Sequence, residues 1–469
     1  MELKVYNTLG KKNQLFLPLS KDRVTMYYCG PTVYWTQHIG NLRGATCVDV
    51  IVRSIGYLGY QLEWVRNYTD VGHLTSDGDT GEDKMSKAAL REKLEPLAIA
   101  NKYIELYEQD TAALNLLEPT HKTRATEFIG EMIEMVQVLL DKGYAYVTPQ
   151  AIYFDVTKVD NYTQLSGQKL DQNRQGEGSG SVSDADKHNA ADFAVWFFRA
   201  GVHEKAIQFW PSPFNSPLVK NGEGFPGWHI ECSAMSKKYL GSTLDIHMGG
   251  IEHVSVHHTN EIAQSEAVNG VKYVNYWLHN EHLLVNGGKM SKSAGTSFCL
   301  ADITAKGYSP LVLRYLFLQA HYRSKLNFTW EALEAAKSGL DSIYRQIKAL
   351  GEAVGLIDLD FQEEFSACLA DDFNTPKALS VLQSVLKSDL MDQDKLALIL
   401  DFDRVLGLDF EKILSLDEQL PPEILVLRKK RDEARLKKDW SASDSLRQQI
   451  EEQGYVVEDT KAGTKVYKK

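Results

Sequence analysis

Long apolar runs are missing from this 469-residue chain. Nowhere do the about 18 consecutive apolar residues that suggest a membrane span occur, and Met1 to Asn7 has no cationic flank leading into an apolar segment. A membrane-spanning or secreted protein is therefore not expected, and a cytoplasmic one is. Cysteine is also scarce. Five residues, with no Cys-x-x-Cys pair, do not make a disulfide framework and leave the cysteines as thiols or metal ligands in a reducing compartment. Surplus positive charge is lacking too: a net charge of −11 argues against a protein that grips nucleic acid by bulk charge. The tail is the exception, because residues 423–469 hold 12 Lys and Arg against 9 Asp and Glu, with Arg428-Lys429-Lys430-Arg431 clustered. An acidic body with a basic tail points to a polyanionic partner at that end, although a solvated charged helix gives the same pattern.

Two short words dominate what is present. His38-Ile39-Gly40-Asn41 follows a strand-like run, Val24 to Cys29, and a Gly30-Pro31 turn, and it opens a helix whose Ala45, Val48, Val52 and Ile55 recur at helical spacing. His38 is thereby placed at a helix N-terminus, where backbone N–H groups point at anions. Lys289-Met290-Ser291-Lys292-Ser293 lies far downstream among Gly287, Gly288 and Gly295, in a loop able to bring two lysines onto a polyphosphate. The pair reads as a split ATP-handling signature for adenylyl transfer. Lys84-Met85-Ser86-Lys87 repeats the tetrapeptide after an acidic stretch, Gly78 to Asp83, and before a helix-like Ala88-Ala89-Leu90, and is read as a chance match.

Strand 24–29, helix 41–58 and strand 61–69 form a right-handed parallel unit, whose ligands lie beyond the carboxyl ends of the strands. The expected fold class is α/β, with a doubly wound, Rossmann-type catalytic domain (1–125 and 225–305) broken by an insertion (126–224). A stem-contact segment and a helical bundle (306–420) follow, and a small α+β domain (423–469) closes the chain. Helix is expected through 86–143 and almost throughout 311–410, a strand at 151–156, a flexible loop at 171–192, and two β-runs, 455–458 and 465–467, after a helix that ends near Gly454. Pro421-Pro422 marks a linker.

Cys29, Cys232, His257 and Glu261 are the second signal. His257 and Glu261, four apart, share one helix face, and Cys29 lies at a strand end. Two thiolates, an imidazole and a carboxylate would make a tetrahedral zinc site. The group His247, His253, His257 and His258 strengthens that reading, with His258 alternatively a packed or hydrogen-bonded histidine. The His-Glu-x-x-His helix typical of a zinc hydrolase is absent.

These segments, with Cys29-Gly30-Pro31-Thr32-Val33-Tyr34, Arg66-Asn67-Tyr68-Thr69-Asp70, the run Gly227 to Met235, the run His257 to Ser265 and Asp371 to Pro376, together resemble cysteinyl-tRNA synthetase over nearly the whole chain. The resemblance implies ATP-dependent activation of L-cysteine to cysteinyl-adenylate and its transfer to tRNA(Cys). One zinc, held by Cys29, Cys232, His257 and Glu261, would bind the substrate sulfur, and Thr69 and Trp228 would line the cysteine pocket. His38, Gly40, Asn41, Lys289 and Lys292 would handle Mg-ATP. Arg435, Trp440, Asp444, Arg447 and Asp459 are implied as anticodon readers; Asp444 and Arg447 share a helix face as acceptor and forked donor, and Trp440 either stacks on a base or packs into its domain. A monomer is expected. Departures from the family pattern are Asn41 in place of a second histidine, Met248, Glu252, Val256 and Thr259 around the histidine group, and the stretch Val71 to Leu74. Two alternatives stand beside this reading: a ligase that passes the same adenylate to an amino sugar, against which the basic tail speaks, and a catalytically silent zinc- or RNA-binding paralogue.

Overall fold

Alternation along one strand sets up the two layers of the core. In a computed structural model that describes every residue except 73–83, 169–185, 292–294, 416–419, 461–462 and 469, strand β1 (Arg23–Tyr28) sends Val24, Met26 and Tyr28 to one face of a sheet. Tyr27 and the following Cys29 go to the other. The first face packs on helix α1 (Ile39–Tyr57) through Val48, Ile51, Val52 and Ile55. The second packs on α2 (Trp228–Leu240) and α3 (His257–Asn269) through Ile230, Met235 and Ile262. Burial on both faces is what makes β1 a continuous apolar run.

The sheet has five parallel strands. Numbered with β1 in chain order, β2 is Gln61–Tyr68, β3 His121–Arg124, β4 Leu244–Gly250 and β5 Val274–Asn280, and they lie side by side as β5-β4-β1-β2-β3. Strand order reverses between β1 and β4, so the crevice at their carboxyl ends is the expected ligand site of a doubly wound fold. Register places Tyr28 beside Met248 and Gly249 beside His279, and Cys29, Thr69, Gly249 and Asn280 all fall at that edge.

A four-stranded antiparallel sheet, built from Ala145–Val147, Ala151–Phe154, Phe193–Phe198 and Gly224–Pro226, interrupts the wound fold. Helices Trp330–Ala349, Leu359–Ala370, Thr375–Lys387 and Asp392–Leu406 follow, three of them opened by Thr329, Asp358 and Asn374, whose side chains accept from backbone N–H groups. By contact the chain divides into Met1–Leu408 and Asp409–Lys469. The second unit holds a short helix (Phe410–Ser415), α4 (Pro422–Leu436), α5 (Trp440–Glu452) and an antiparallel hairpin, Tyr455–Thr460 with Gly463–Lys468. Leu420, Ile424, Ile450, Val457 and Val466 form its core.

Three expectations change. The stretch 86–143 is not all helical, because His121–Arg124 joins the parallel sheet beside β2; it is a polar edge strand in which only Thr123 is buried, so no apolar run marks it. Within 311–410, Leu326–Phe328 pairs with Leu283–Val285. Pro422 opens α4 at its first turn, where a missing N–H costs nothing, so Pro421-Pro422 starts a helix. Of the expected loop at 171–192, residues 171–185 lie outside the described residues and 186–192 form turns leading into Phe193–Phe198.

Gly30 shows why the strand end is built as it is. A β-carbon there would stand 1.8 Å from the carbonyl oxygen of Asn67, while the Gly30 N–H donates to Asn67 Oδ1 at 2.8 Å. Gly30→Ala is therefore expected to destabilise the protein by about 1–3 kcal/mol or more. Displacement of Cys29 should accompany it, seen as a lowered midpoint of thermal unfolding together with reduced metal content.

Candidate active site and metal-ligating pocket

Four segments converge at the β1/β4 crevice. Cys29 follows β1, with its N–H bonded to the Met248 carbonyl at 3.2 Å. Cys232 projects from the second turn of α2, and His257 and Glu261 from the first two turns of α3. All four are buried. The ligating atoms of this quartet lie within 4.8 Å of one another, a group able to hold a metal ion. The two sulfurs are 3.6 Å apart, against about 3.8 Å for two thiolates bonded at 2.3 Å to one tetrahedral zinc. Glu261 Oε1 stands 3.6 Å from Cys29 Sγ and 2.9 Å from His257 Nε2.

An outer layer orients these groups. His257 Nδ1 meets His229 Nδ1 at 2.9 Å, and Trp228 stacks on the His257 ring at 4.2 Å. Glu261 Oε2 receives His247 Nε2 at 2.9 Å and the Tyr273 hydroxyl at 3.2 Å. His258 is hydrogen-bonded as one reading expected, through Nδ1 to His279 Nε2 at 2.7 Å and on to Thr8 Oγ1 at 2.8 Å. Its Nε2 nevertheless faces Cys29 Sγ at 3.5 Å. Cys29, His247, His258 and Glu261 thus form a second donor set sharing two members with the first. His229, Tyr273 and His279 were not singled out from sequence; their signal is only that they sit in motifs or strand ends next to residues that were.

Neighbouring groups set the ionisation of this pocket against the effect of burial. Burial alone would raise the Glu261 carboxyl, but His247 and His257 reverse it and hold the group well below the carboxylate range. Burial disfavours the His257 cation, yet Glu261 and Cys232 raise its pKa to about 10. Burial, then Cys232 and Glu261, push the Cys29 thiol up. Against burial, the Cys29 hydrogen bond and His257 lower that of Cys232. Two thiols, a carboxylate and an imidazole in a dry site are a donor set that suits a divalent ion, whose binding would release the thiol protons.

The two ATP words meet at the same crevice. His38 caps α1, its Nδ1 accepting from the Asn41 N–H at 3.1 Å. Gly40 lies against the second word, since a β-carbon on it would stand 2.2 Å from Met290 Cε. The Ile39 N–H donates to the Phe298 carbonyl at 2.8 Å. Asn41 and Lys289 are exposed, and Lys292 lies outside the described residues. The copy at 84–87 occupies the start of helix Lys84–Glu92, where Met85 is buried and not part of a glycine loop. Thr69, buried at the end of β2, bridges to Thr32 and has its hydroxyl 3.4 Å from Glu231 Oε2.

In the second unit, Trp440 is 59% exposed at the start of α5, which removes the reading of it as a core residue. Asp459 pairs with Arg435 at 2.8 Å and with buried Arg431 at 2.6 Å; burial opposes less than Arg431 favours, so its pKa is lowered. Arg447 bonds Glu451 at 2.9 Å and the Val457 carbonyl at 3.1 Å, while Asp444 is exposed.

A doubly wound sheet with these words at its switch point defines a class I aminoacyl-tRNA synthetase. Solved structures of that class share the fold. A Mycobacterium tuberculosis methionyl-tRNA synthetase bound by methionyl-adenylate matches 86% of this chain and 95% of its own, with a TM-score of 0.57 and 14% identity. A LeuRS–tRNA–LeuAMS complex from Agrobacterium radiobacter matches 85% of each, with a TM-score of 0.58 and 11% identity. The sequence narrows this. Residues 15–338 match the family described as tRNA synthetases class I (C) catalytic domain, 417–466 the cysteinyl-tRNA ligase anticodon binding domain, and 364–388 the DALR domain. A cysteine–tRNA ligase from Treponema denticola is 41% identical over all of both chains, and cysteine–tRNA ligase 1 from Burkholderia lata is 42% identical over all of this chain and 97% of its own. The chain belongs to the cysteine–tRNA ligase family of class I synthetases. Among the described residues no helix is long and apolar enough to cross a membrane.

Proposed function

We propose that this protein activates L-cysteine with Mg-ATP and transfers the cysteinyl group to tRNA(Cys), and that Cys29, Cys232, His257 and Glu261 hold one zinc which recognises the substrate thiol. The observation that carries the reading is the convergence of this quartet, beside the two ATP words, at the switch point of the sheet. Zinc, when bound, supplies a soft Lewis-acidic partner for sulfur, to which a hydroxyl is a far poorer match. Selection at this step makes editing against serine unnecessary. Trp228 and Thr69 wall the cysteine side chain.

The substrate carboxylate attacks the α-phosphorus, and pyrophosphate leaves. His38 and the N-terminal N–H groups of α1, with Asn41, Lys289 and Lys292, stabilise the charge that builds on the phosphates. Asn41 supplies a hydrogen-bond donor where a cation is usual. The terminal adenosine hydroxyl of the tRNA then attacks the adenylate carbonyl and takes the cysteinyl group, and AMP leaves. In the second unit Trp440, exposed and aromatic, stacks on an unpaired anticodon base, with Arg435, Asp444, Arg447 and Asp459 meeting base edges and backbone. The enzyme works as a monomer in the cytoplasm.

Transfer of labelled cysteine to purified tRNA(Cys), with labelled serine as control, tests the reading. Charging by cysteine alone is expected. Cysteine-dependent exchange of pyrophosphate into ATP without tRNA charging would favour the amino-sugar ligase, and no exchange at all the silent paralogue.

A further inference from the structure

Arg43 lies five residues beyond His38 on α1, and its side chain is completely buried. Its acceptors are four main-chain carbonyls: Nη1 donates to Glu281 and His282 at 2.5 and 3.0 Å, and Nη2 to Ser324 and His321 at 2.5 and 3.4 Å. A cation buried without a carboxylate among its acceptors costs stability. What the forked donor secures is position, because it fixes two separate segments to one point on the helix.

Those two segments support the second ATP word. Glu281 and His282 join β5 to Leu283–Val285, and the turn from His321 to Ser324 leads into Leu326–Phe328. They are stitched to each other, the Glu281 N–H donating to the Tyr322 carbonyl at 2.9 Å and the Leu326 N–H to the His282 carbonyl at 3.3 Å. Leu283–Val285 then pairs on one side with Leu326–Phe328 and on the other with Gly288–Lys289, which puts Leu284 opposite Lys289. Two residues of extended chain, about 7 Å, thus separate a residue whose carbonyl Arg43 holds from the partner of the lysine.

The start of α1 meets the same segment twice more. Gly40, three residues before Arg43 and so on one helix face with it, lies against Met290. Past the word, the Ile39 N–H donates to the Phe298 carbonyl, and His38 bridges to Cys299. The helix that carries the first word therefore holds the second before it, within it and after it. Arg43 supplies the first of these holds, at the root of the hairpin, where a small shift is passed along a paired strand to Lys289.

We propose that Arg43 is a positioning residue of the activation step: through His282 and Leu284 it sets where Lys289 stands relative to His38 as charge builds on the phosphates. The proposal rests on the reading that the two words handle ATP. Arg43→Lys keeps the charge but offers a point donor that cannot span four carbonyls. In that variant, with circular dichroism and metal content as in the parent, kcat for cysteine-dependent ATP–pyrophosphate exchange should fall about ten- to a hundredfold, as misplacement by about an ångström can. KM for cysteine should hold. Single-turnover transfer from preformed, enzyme-bound cysteinyl-adenylate to tRNA(Cys) should be nearly unchanged, because pyrophosphate has left by then. In a Lys289→Ala background the same substitution should cost little further. Equal slowing of activation and transfer, an undiminished loss in the Lys289→Ala background, or exchange kinetics like the parent's each overturns the proposal. Arg43→Gln repeats the test if the lysine variant does not fold; failure of both to fold assigns Arg43 to the fold as a whole and sinks the proposal. Lys289→Ala enzyme with the parent's exchange rate would instead overturn the reading of the second word as a phosphate clamp, a failure told apart because it appears with Arg43 intact.

Discussion

Cys232→Ser protein is expected to purify with far less zinc than the one per chain proposed for the parent and to lose cysteine-dependent ATP–pyrophosphate exchange. The sulfur lies 3.6 Å from Cys29 Sγ at the centre of the donor set, and a serine hydroxyl is harder, far less acidic and shorter-reaching. Its loss should weaken metal binding by more than the about 10–100-fold that removal of an outer partner costs. Folding is expected to survive, since the substitution is nearly isosteric and α2 is also held by Ile230 and Met235 in the core. Elemental analysis and exchange on the same sample give the answer. The second donor set sharpens the experiment: zinc retained at full occupancy would place the ion at Cys29, His247, His258 and Glu261. A metal-free but active preparation would sink metal-based thiol recognition altogether.

How far the sequence went depends on how local each signal was. The order strand, turn, helix at 24–58 is written in contiguous residues, and α1 begins with His38 as its cap because the histidine side chain accepts from the Asn41 N–H. The hairpin at the end of the chain, expected to flank Lys461-Ala462-Gly463, was equally readable, its strands two and three residues longer than expected. His121–Arg124 and Leu326–Phe328 were not, because a strand of three or four residues is stabilised by the partner it meets and carries too few positions for a period to show.

The quartet was legible through residue types and the i, i+4 spacing of His257 and Glu261. The layer behind it was not. His279 reaches His258 only because β5 lies beside β4 with Gly249 opposite His279, and Tyr273 reaches Glu261 across two elements. Such contacts exist only once the sheet order is fixed. The same is true of Asp459, whose pairing with buried Arg431 depends on the hairpin folding back on α4. Sequence alone also left Trp440 open between core and surface, a matter of which face of α5 meets the hairpin.

Lys292→Ala is expected to slow ATP–pyrophosphate exchange by about 10²–10³, the loss that follows removal of one group aimed at developing transition-state charge. KM for cysteine and zinc content should barely move. Met290 packs on Gly40, so the segment is tied to the start of α1, and the Ser291 N–H donates to Thr296 Oγ1 at 3.0 Å while the Thr296 N–H donates to the Ser291 carbonyl at 3.1 Å. That anchoring holds Met290 against the helix N-terminus where the triphosphate is proposed to lie. Lys87→Ala supplies the control within the same chain. Lys87 is exposed in the first turn of a helix, outside the pair of words that meet at α1, and its removal should leave exchange within about twofold of the parent, as surface substitutions usually do. Were the Lys87 variant the damaged one and the Lys292 variant sound, the phosphate-handling lysine would belong to the upstream tetrapeptide. The contact between Met290 and Gly40 would then serve only to hold α1 in place.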